Sequence, residues 1–524
     1  MSLSNLVELK TFNVFPEYFI GISALYILVV VVLITYNVYG LIVQKAISEC
    51  MGLILLLACY LILNDDLIFS ANGFELYSVL GFYKSTITDY FAFFTKFVVC
   101  FFSALYFFII ADFLKEYKLT SFEYLLVLLF SILGLMLLCS SNDLLTAYLS
   151  IELISLSSYV LAAFKKTSSY SAEAGVKYLV TGAISSAFFL LGSSFMYAYS
   201  GTINISDFWV IMSDEGWFSD SEALYLFEPL LEIGMTFIVF SLFIKLALAP
   251  FHVWSLDVYE GSPTISTFFF AVITKLSFFV FLVRIGYVAA LKYYEAWQFY
   301  GIVIALFSVF VGSFGGLRQR KLKTLLAYSS VSHMGYALLA FSAGSRFGAE
   351  MLLFYLVIYM LSGLGVWFII LATRINRKRY TDKFSKELGD LALLRKSNPA
   401  LAISLALTMF SIAGIPPLVG FFAKMGVFLS ILHAKYYFVA LLAILCSVVS
   451  TFYYIRIIKI LYFENLLVGK LYYPITTSKS VLFSVLIFSL LFLFVNPAFL
   501  YLLVYKVILC SFSGDTLSAY ANTF

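Results

Sequence analysis

The feature that most constrains this chain is a succession of about fourteen apolar runs, each close in length to a membrane-crossing helix. An α-helix needs roughly 20 mostly apolar residues to cross the hydrocarbon core of a bilayer. The chain of 524 residues is 63% hydrophobic and only 12% charged, which excludes a soluble multidomain enzyme. We therefore predict an all-α polytopic membrane protein with about 14 transmembrane helices, at residues 17–38, 46–63, 90–111, 122–140, 144–164, 174–200, 229–254, 264–290, 299–317, 323–344, 350–373, 400–432, 436–462 and 480–505.

Lysine and arginine are distributed unevenly among the loops that join these runs. Loops after odd-numbered runs hold most of the loop cations, among them Lys165, Lys166, Arg318, Arg320, Lys321 and Lys323. Loops after even-numbered runs are poor in cations and collect acids, among them Asp65, Asp66, Asp89 and Asp207. Short loops rich in Lys and Arg stay on the side from which helices insert. The alternation therefore predicts an even number of spans, with both termini on the less positive side.

Motifs for bound metals, nucleotides and disulfides are missing from the sequence. The six cysteines form no CxxC pair and lie mostly in apolar runs, and the three histidines form no HExxH pair. The P-loop and GxGxxG fingerprints are missing as well. We expect this chain to work without a bound cofactor or metal. Its formal net charge of +4 gives no reason to expect nucleic acid as a partner.

Four ionisable residues lie deep inside apolar runs. Lys245, Lys275 and Lys424 have mostly apolar neighbours on both sides, and Glu152 is the carboxylate that lies well inside a run. A charged side chain at the centre of a transmembrane helix costs about 2.5–3.5 kcal/mol on insertion scales. Each of these residues therefore needs either a partner or a function.

Glu152 and the deep lysines are best explained as interacting groups. Burial disfavours the charged form of a carboxylate and of an amine, whereas proximity of the two keeps both charged. A static ion pair that fixes helix packing would explain one such pair. Three deep lysines against one deep glutamate are better explained as a series of proton-accepting sites.

Four further cations lie nearer to the ends of predicted spans: Lys96, Lys177, Arg456 and Lys459. A long cationic side chain near a span end can reach the headgroups while its aliphatic stem stays in hydrocarbon. Such snorkelling explains these residues as well as a functional role does. We therefore do not include them among the candidate site residues.

A histidine in the tenth predicted span is a secondary candidate. His333 occupies the counterpart of the fifth span, which carries Glu152. A neutral imidazole at this depth could relay protons. A buried histidine that only satisfies its hydrogen bonds explains the position equally well.

Two of the lysine-bearing runs are interrupted by proline. Pro250 follows Lys245 in the seventh run, and Pro416 and Pro417 precede Lys424 in the twelfth. Proline removes a backbone hydrogen bond, and non-helical backbone at membrane depth is tolerated only inside protein or beside a watery cavity. Broken runs five positions apart predict two inverted five-helix repeats. The predicted organisation is helices 1–3 at 1–119, a first repeat at 120–295, a second repeat at 296–465, and a last helix with a tail at 466–524.

Several stretches together resemble one family of membrane proteins: YLSIELISLSSYVLAA, SAEAGVKYLVTGAISS, FIKLALAPFHVWSLDVYEGSPT, RQRKLKTLLAYSSVSHMGY and ALTMFSIAGIPPLVGFFAKMGVF. The family is the antiporter-like membrane subunits of proton-pumping NADH:ubiquinone oxidoreductase, respiratory complex I, and in particular its subunit 2. The resemblance runs from about residue 120 to 460. Single motifs of this set also occur in the wider superfamily, which includes subunits of sodium/proton antiporters and membrane-bound hydrogenases.

The resemblance implies a role for each deep residue. Glu152 matches the glutamate of the family's fifth helix, and Lys245 matches the lysine of the broken seventh helix with which that glutamate pairs. Lys275 matches the central relay lysine of the eighth helix, Lys424 the lysine of the broken twelfth helix, and His333 the histidine of the tenth. On this resemblance the chain is a proton-translocating subunit driven by redox chemistry in other subunits.

The resemblance also implies where the chain works and with what. NADH, FMN, iron–sulfur clusters and ubiquinone are expected in other subunits of the complex. The expected partners are other membrane-arm subunits, including further antiporter-like subunits, and membrane lipids. The expected location is the mitochondrial inner membrane, or alternatively a bacterial plasma membrane, with both termini on the intermembrane-space side. Two other functions stay open, namely a subunit of a multi-subunit sodium/proton antiporter and a purely structural membrane-arm subunit.

Overall fold

Apolar runs of membrane-crossing length form long helices in the computed structural model. The structure describes residues 14–35, 40–71, 79–81, 84–117, 119, 121–208, 222–289, 294–376, 383–384, 387–392, 394–464, 471–472 and 477–511. The predicted ends of the first and eighth spans, at 36–38 and 290, lie outside these residues. The same holds for the stretch 209–221 between the sixth and seventh spans.

Helices account for most of the described chain, because backbone in hydrocarbon must satisfy its hydrogen bonds internally. In chain order they are α1 Phe15–Thr35, α2 Gly40–Ala71, α3 Tyr90–Ile110, α4 Phe113–Glu116, α5 Glu123–Ser140, α6 Leu144–Ala163, α7 Ser169–Ser200, α8 Glu222–Lys245, α9 Val253–Gly261, α10 Thr264–Val272, α11 Thr274–Arg284, α12 Tyr294–Gly316, α13 Leu322–Ser342, α14 Arg346–Ala372, α15 Leu394–Ser397, α16 Pro399–Ala413, α17 Val419–His433, α18 Tyr437–Phe463, α19 Thr477–Val495 and α20 Ala498–Ser511.

Short irregular elements join these helices. A π-helical turn, Ile285–Ala289, follows α11, and a 3-10 turn, Leu388–Leu391, precedes α15. Five strands of two or three residues pair antiparallel: β1 Val79–Gly81 with β2 Thr86–Thr88, and β3 Arg374–Asn376 with both β4 Lys383–Phe384 and β5 Leu471–Tyr472. Such short strand pairs connect loops by a few backbone hydrogen bonds, and the fold class is still all-α.

Each predicted span coincides with a helix or a pair of helices among the described residues, which confirms the predicted fold class. Ten helical segments of the described ranges, one of them made of α10 and α11, are long and apolar enough to cross a membrane, or eleven if α19 and α20 form one span. The predicted breaks are present, since α8 ends before Pro250 and α16 ends before Pro416. Two other interruptions were not predicted. One separates α10 from α11 at Ile273, and the other bends α19 against α20 by 79° at a break that contains Pro497.

One compact unit of the chain contains a close glycine contact between α7 and the helix that ends at Lys245. A Cβ placed on Gly192 of α7 would lie 2.6 Å from the backbone oxygen of Gly234 of α8, and a Cβ on Gly234 would lie 2.9 Å from that of Gly192. Small residues allow such backbones to touch in a membrane protein. The contact positions α8, whose last residue is Lys245. The unit consists of residues 1–246, 273–298 and 506–524.

Two buried cations of this unit form direct ion pairs. Lys96 of α3 pairs with Glu17 of α1, and both side chains are only 3% exposed. Arg284 at the end of α11 binds the two oxygens of Asp89 at 2.8 and 3.2 Å. Of the two interpretations, snorkelling is therefore wrong for Lys96, because a carboxylate from a neighbouring helix compensates its charge inside the protein.

The other compact unit is organised around α14. Nearly every residue of α14 is buried, and the helix contacts α10, α13, α16 and α17. A helix that is apolar on all sides belongs at the centre of a bundle. The unit consists of residues 247–272 and 299–505. Its central helix supplies two of the tyrosines, Tyr355 and Tyr359, of a candidate site described below.

The contact between α7 and α8 can be tested by Gly192→Ala. We expect lower thermal stability, by about 1–3 kcal/mol, because the added methyl group meets backbone that cannot rotate away. The measurement is thermal unfolding of the detergent-solubilised protein. Gly21→Ala is the matched control, because its Cβ would lie an ordinary 3.4 Å from Leu133 Cδ1. Equal stability of the two variants would show that the glycine contact is not tight.

Candidate functional site

The five predicted site residues fall into two groups, one in each compact unit. Glu152, Lys245 and Lys275 belong to the unit that contains α6, α8 and α11. His333 and Lys424 belong to the unit built around α14. Each group is described by its own geometry below.

One face of α6 carries the first group's polar atoms. Glu152, Ser155 and Tyr159 are three and four residues apart, a spacing that places them on the same side of a helix. The Ser155 hydroxyl lies 3.2 Å from Glu152 Oε2 and 3.1 Å from the backbone oxygen of Glu152. The other carboxylate oxygen, Oε1, is buried and has no hydrogen-bond partner within the described part of the chain. Among the described residues, the Glu152 carboxylate is therefore hydrogen-bonded through only one of its two oxygens.

Lys245 ends α8 and faces this row of polar groups. Its Nζ atom donates to the Tyr159 hydroxyl at 3.4 Å and lies 5.9 Å from the centre of the Tyr159 ring. The hydrogen-bond partner of the amine is therefore the tyrosine and not Glu152. Glu152 and Lys245, the predicted partners, thus form no direct hydrogen bond with each other. Ala247 adopts a left-handed backbone with φ of 58°, which ends the helix directly beyond this lysine.

Lys275 is the second residue of α11. It lies two residues after the interruption at Ile273 and is only 6% exposed. Its helix packs against α5 and against α8, the helix of Lys245. A buried ammonium group in hydrocarbon is expensive, so this position agrees with the sequence-based prediction of a deep lysine.

His333 lies among tyrosines in the second unit. Its Nδ1 atom is 2.5 Å from the Tyr355 hydroxyl, and its Nε2 atom is 3.1 Å from the Tyr454 hydroxyl. The Tyr453 hydroxyl donates to that of Tyr454 at 3.5 Å. A neutral imidazole donates through one nitrogen and accepts through the other. His333 therefore links hydroxyls on two sides, which suits both a structural histidine and a proton relay.

Lys424 donates a hydrogen bond to a backbone oxygen at the break between α16 and α17. Its Nζ atom donates to the backbone oxygen of Ala413 at 2.8 Å. In a continuous helix that oxygen would accept from the backbone nitrogen four residues later, but this residue is Pro417, which has no N–H. Gly414, with φ of 80°, turns the chain away from the helix axis at this point. The break therefore supplies an unused carbonyl, and the lysine satisfies it.

A small cavity with a mostly apolar surface is lined by both candidate residues of this unit. It is lined by His333, Tyr355, Tyr359, Ser411 and Lys424 together with apolar neighbours. The space open to the centre of a water molecule is about 20 Å³, and one water needs about 10–15 Å³ by this measure. Ser411 Oγ is buried without a hydrogen-bond partner among the described residues. The size of the cavity suits one ordered water beside the unpaired Ser411 hydroxyl.

Several participating residues were not identified from the sequence. The spacing from Glu152 along α6 could have pointed to Ser155 and Tyr159, because residues on one helix face are readable from periodicity. Tyr355 and Tyr454 reach His333 from 22 and 121 residues away, and no local pattern predicts such pairing. Over the described ranges, no cluster of three or more His, Cys, Asp or Glu side chains could hold a metal ion.

These features define a class of protein: a multi-pass helical membrane protein with ionisable side chains kept at membrane depth beside broken helices. Residues 141–450 match the family model described as NADH:quinone oxidoreductase/Mrp antiporter, transmembrane. Because the match covers more than half of the chain, the chain belongs to this family.

Individual relatives agree with the family match. NADH-ubiquinone oxidoreductase chain 2 of Marchantia polymorpha is 37% identical over 430 residues, which are 82% of this chain and 85% of that protein. NADH-quinone oxidoreductase subunit N 1 of Rhizobium meliloti is 40% identical over 351 residues, which are 67% of this chain and 70% of that protein. A chain of respiratory complex I from Thermus thermophilus with bound aureothin superposes with a TM-score of 0.73 at 25% identity, over 93% of this chain and 98% of that chain. The predicted family resemblance is thus confirmed.

The hydrogen bonds of His333 can be tested by His333→Leu. The change removes a partner from two buried tyrosine hydroxyls, and an unsatisfied buried polar group costs about 1–3 kcal/mol. We expect thermal unfolding in detergent at a lower temperature than for the parent. Adding Tyr355→Phe and Tyr454→Phe to His333→Leu should recover part of the loss. An unchanged unfolding temperature in the single variant would mean that these bonds contribute nothing to stability.

Proposed function

We propose that this chain is a proton-translocating membrane-arm subunit of an NADH:quinone oxidoreductase. The observation that carries the proposal is the kind of partner that the deep amines have. Lys245 contacts a tyrosine hydroxyl and Lys424 a backbone carbonyl, so each amine is held by an uncharged oxygen. The family match and the relatives named above support the same function for this chain.

Uncharged partners matter because they leave the amine free to change its charge. An amine in direct contact with a carboxylate cannot lose its proton without leaving an uncompensated buried charge. A hydroxyl or carbonyl oxygen imposes no such penalty. Hydrocarbon opposes the charged amine while nearby dipoles and a distant carboxylate favour it. Under these opposed effects a lysine can accept and release a proton during turnover.

The proposed mechanism is a switch in the interaction between Glu152 and Lys245. When the interaction strengthens, Lys245 holds its proton. When it weakens, Lys245 releases the proton towards Lys275, which passes it on to Lys424. His333 serves as a neutral relay beside Lys424, with which it shares the lining of one cavity. The energy for the switch comes from differential interactions with neighbouring subunits.

The remaining parts of the enzyme belong to other chains in this proposal. NADH, FMN, iron–sulfur clusters and ubiquinone bind in other subunits, and this chain contributes as a translocase subunit. Its partners are other membrane-arm subunits, some of them antiporter-like, and membrane lipids. The chain lies in a mitochondrial inner membrane or a bacterial plasma membrane. The positive loops between its spans favour both termini on the intermembrane-space or periplasmic side.

The relay can be tested with Lys275→Met and Glu152→Gln in the assembled complex, reconstituted into vesicles. The measurements are protons pumped per electron and the rate of quinone reduction. A positioned proton-transfer group contributes about 10²–10⁴-fold to its step, so we expect transfer through this subunit to stop and turnover to fall. Lys177→Met is the matched control, because Lys177 is largely exposed and pairs with Glu173 on its own helix.

Two outcomes would contradict the proposal. Unchanged pumping and unchanged turnover in both relay variants would favour a purely structural membrane-arm subunit. Transport that requires sodium, with the amount of sodium moved matched to the protons moved, would favour the antiporter function instead. The Lys177→Met control should pump like the parent, which separates a specific loss in the relay variants from the effect of replacing any lysine of this chain.

A further inference from the structure

Tyr159 is held in place more strictly than a tyrosine that only fills space. Its hydroxyl faces Lys245 Nζ at 3.4 Å, and its ring meets Tyr178 edge to face with the centroids 4.9 Å apart. The side chain is 8% exposed. Edge-to-face aromatic pairs favour one ring orientation. The Tyr178 ring therefore fixes the direction in which the Tyr159 hydroxyl points.

A glycine on α7 makes room for this hydroxyl. A Cβ placed on Gly182 would lie 1.6 Å from the Tyr159 oxygen and 2.5 Å from Cζ. No side chain other than that of glycine fits there without moving the tyrosine. The position of the hydroxyl is thus set jointly by α6, which carries it, and by α7, which leaves the space.

The hydroxyl lies on a row of groups that connects the lysine to the glutamate. Lys245 Nζ donates to the Tyr159 hydroxyl at 3.4 Å, Tyr159 and Ser155 lie one helical turn apart on the same face of α6, and the Ser155 hydroxyl donates to Glu152 Oε2 at 3.2 Å. Ser155 is buried at 3% exposure. Each hydroxyl in such a row can accept a proton on its oxygen while it gives up the proton that it already carries.

We propose that Tyr159 is a catalytic residue that transfers the proton between Lys245 and Glu152, with Ser155 as the second link. The Lys245 ammonium gives a proton to the Tyr159 oxygen as the phenol gives its own proton to Ser155. The Ser155 hydroxyl in turn gives its proton to the Glu152 carboxylate. Lys245 ends neutral, Glu152 ends protonated, and both hydroxyls end as they began. Reversal of the same steps restores the starting charges.

This role deepens the proposed function and rests on it. It also gives the switch between Glu152 and Lys245 a physical form, because the two groups need not touch to exchange a proton. Small movements of α8 relative to α6 would lengthen the bond between Lys245 and Tyr159, and transfer through a hydrogen bond depends steeply on its length. Both helices belong to the same compact unit.

The test compares Tyr159→Phe and Ser155→Ala in the assembled, reconstituted complex. Both changes remove one hydroxyl and add no atoms. We expect each variant to lose most of its coupled turnover and proton pumping, as Lys245→Met does, with an unchanged KM for quinone. The matched controls are Tyr106→Phe, from a fully buried tyrosine of α3, and Ser157→Ala, from a serine whose hydroxyl bonds only backbone oxygens within α6. Both controls should pump like the parent.

Gly182→Ala tests the position of the Tyr159 hydroxyl without removing it. The added methyl group must displace the Tyr159 oxygen while the phenol stays chemically intact. We expect the same loss of pumping, and no further loss when Gly182→Ala and Tyr159→Phe are combined. The amount of assembled complex on native gels shows whether any loss reflects poor folding.

The outcomes separate this inference from the proposed function. If Lys245→Met loses pumping while Tyr159→Phe and Ser155→Ala pump like the parent, the hydroxyl row carries no proton and the proposed function still stands. If Lys245→Met also pumps like the parent, both the role of Tyr159 and the proposed function are wrong. If the control Tyr106→Phe loses as much pumping as Tyr159→Phe, loss of any buried hydroxyl suffices and the inference is wrong.

Discussion

The constraint on which this structure depends is that hydrocarbon offers no hydrogen bonds. Every backbone group and every charge at membrane depth must find a partner within the protein. The bond between Lys424 and Ala413 follows directly from this constraint, because Pro417 cannot donate to the Ala413 oxygen and the lysine amine does so instead. The broken helix leaves a backbone oxygen without its donor, and the buried amine supplies that donor.

The chain satisfies its buried cations in two different ways. Lys96 and Arg284 lie directly against the carboxylates of Glu17 and Asp89. Lys245 and Lys424 are held by oxygens without charge. Direct pairs are stable because removing either proton or partner leaves a buried charge, so they suit fixed helix contacts. The amines with uncharged partners can change protonation at lower cost, which is why the proposed relay uses these and not the ion pairs.

The sequence predicted most of the framework. Apolar run length located the spans, and Pro250, Pro416 and Pro417 located two of the breaks. The bend at Pro497 was missed although proline was present, because the run on either side is apolar enough to be read as one helix. The division into inverted repeats at 120–295 and 296–465 stays a prediction. Membership of the family was predicted from local motifs and confirmed by the comparisons.

The sequence alone determined that the chain is a membrane protein, which residues are too polar for their surroundings, and where helices must stop. These properties follow from composition and from the geometry of single residues along one chain. Only the tertiary structure decided which atoms meet those residues. It placed the Tyr159 hydroxyl against Lys245, tyrosines on both sides of His333, and Glu17 against Lys96. Partners that come from other helices depend on packing over long sequence distances, and no local pattern carries that information.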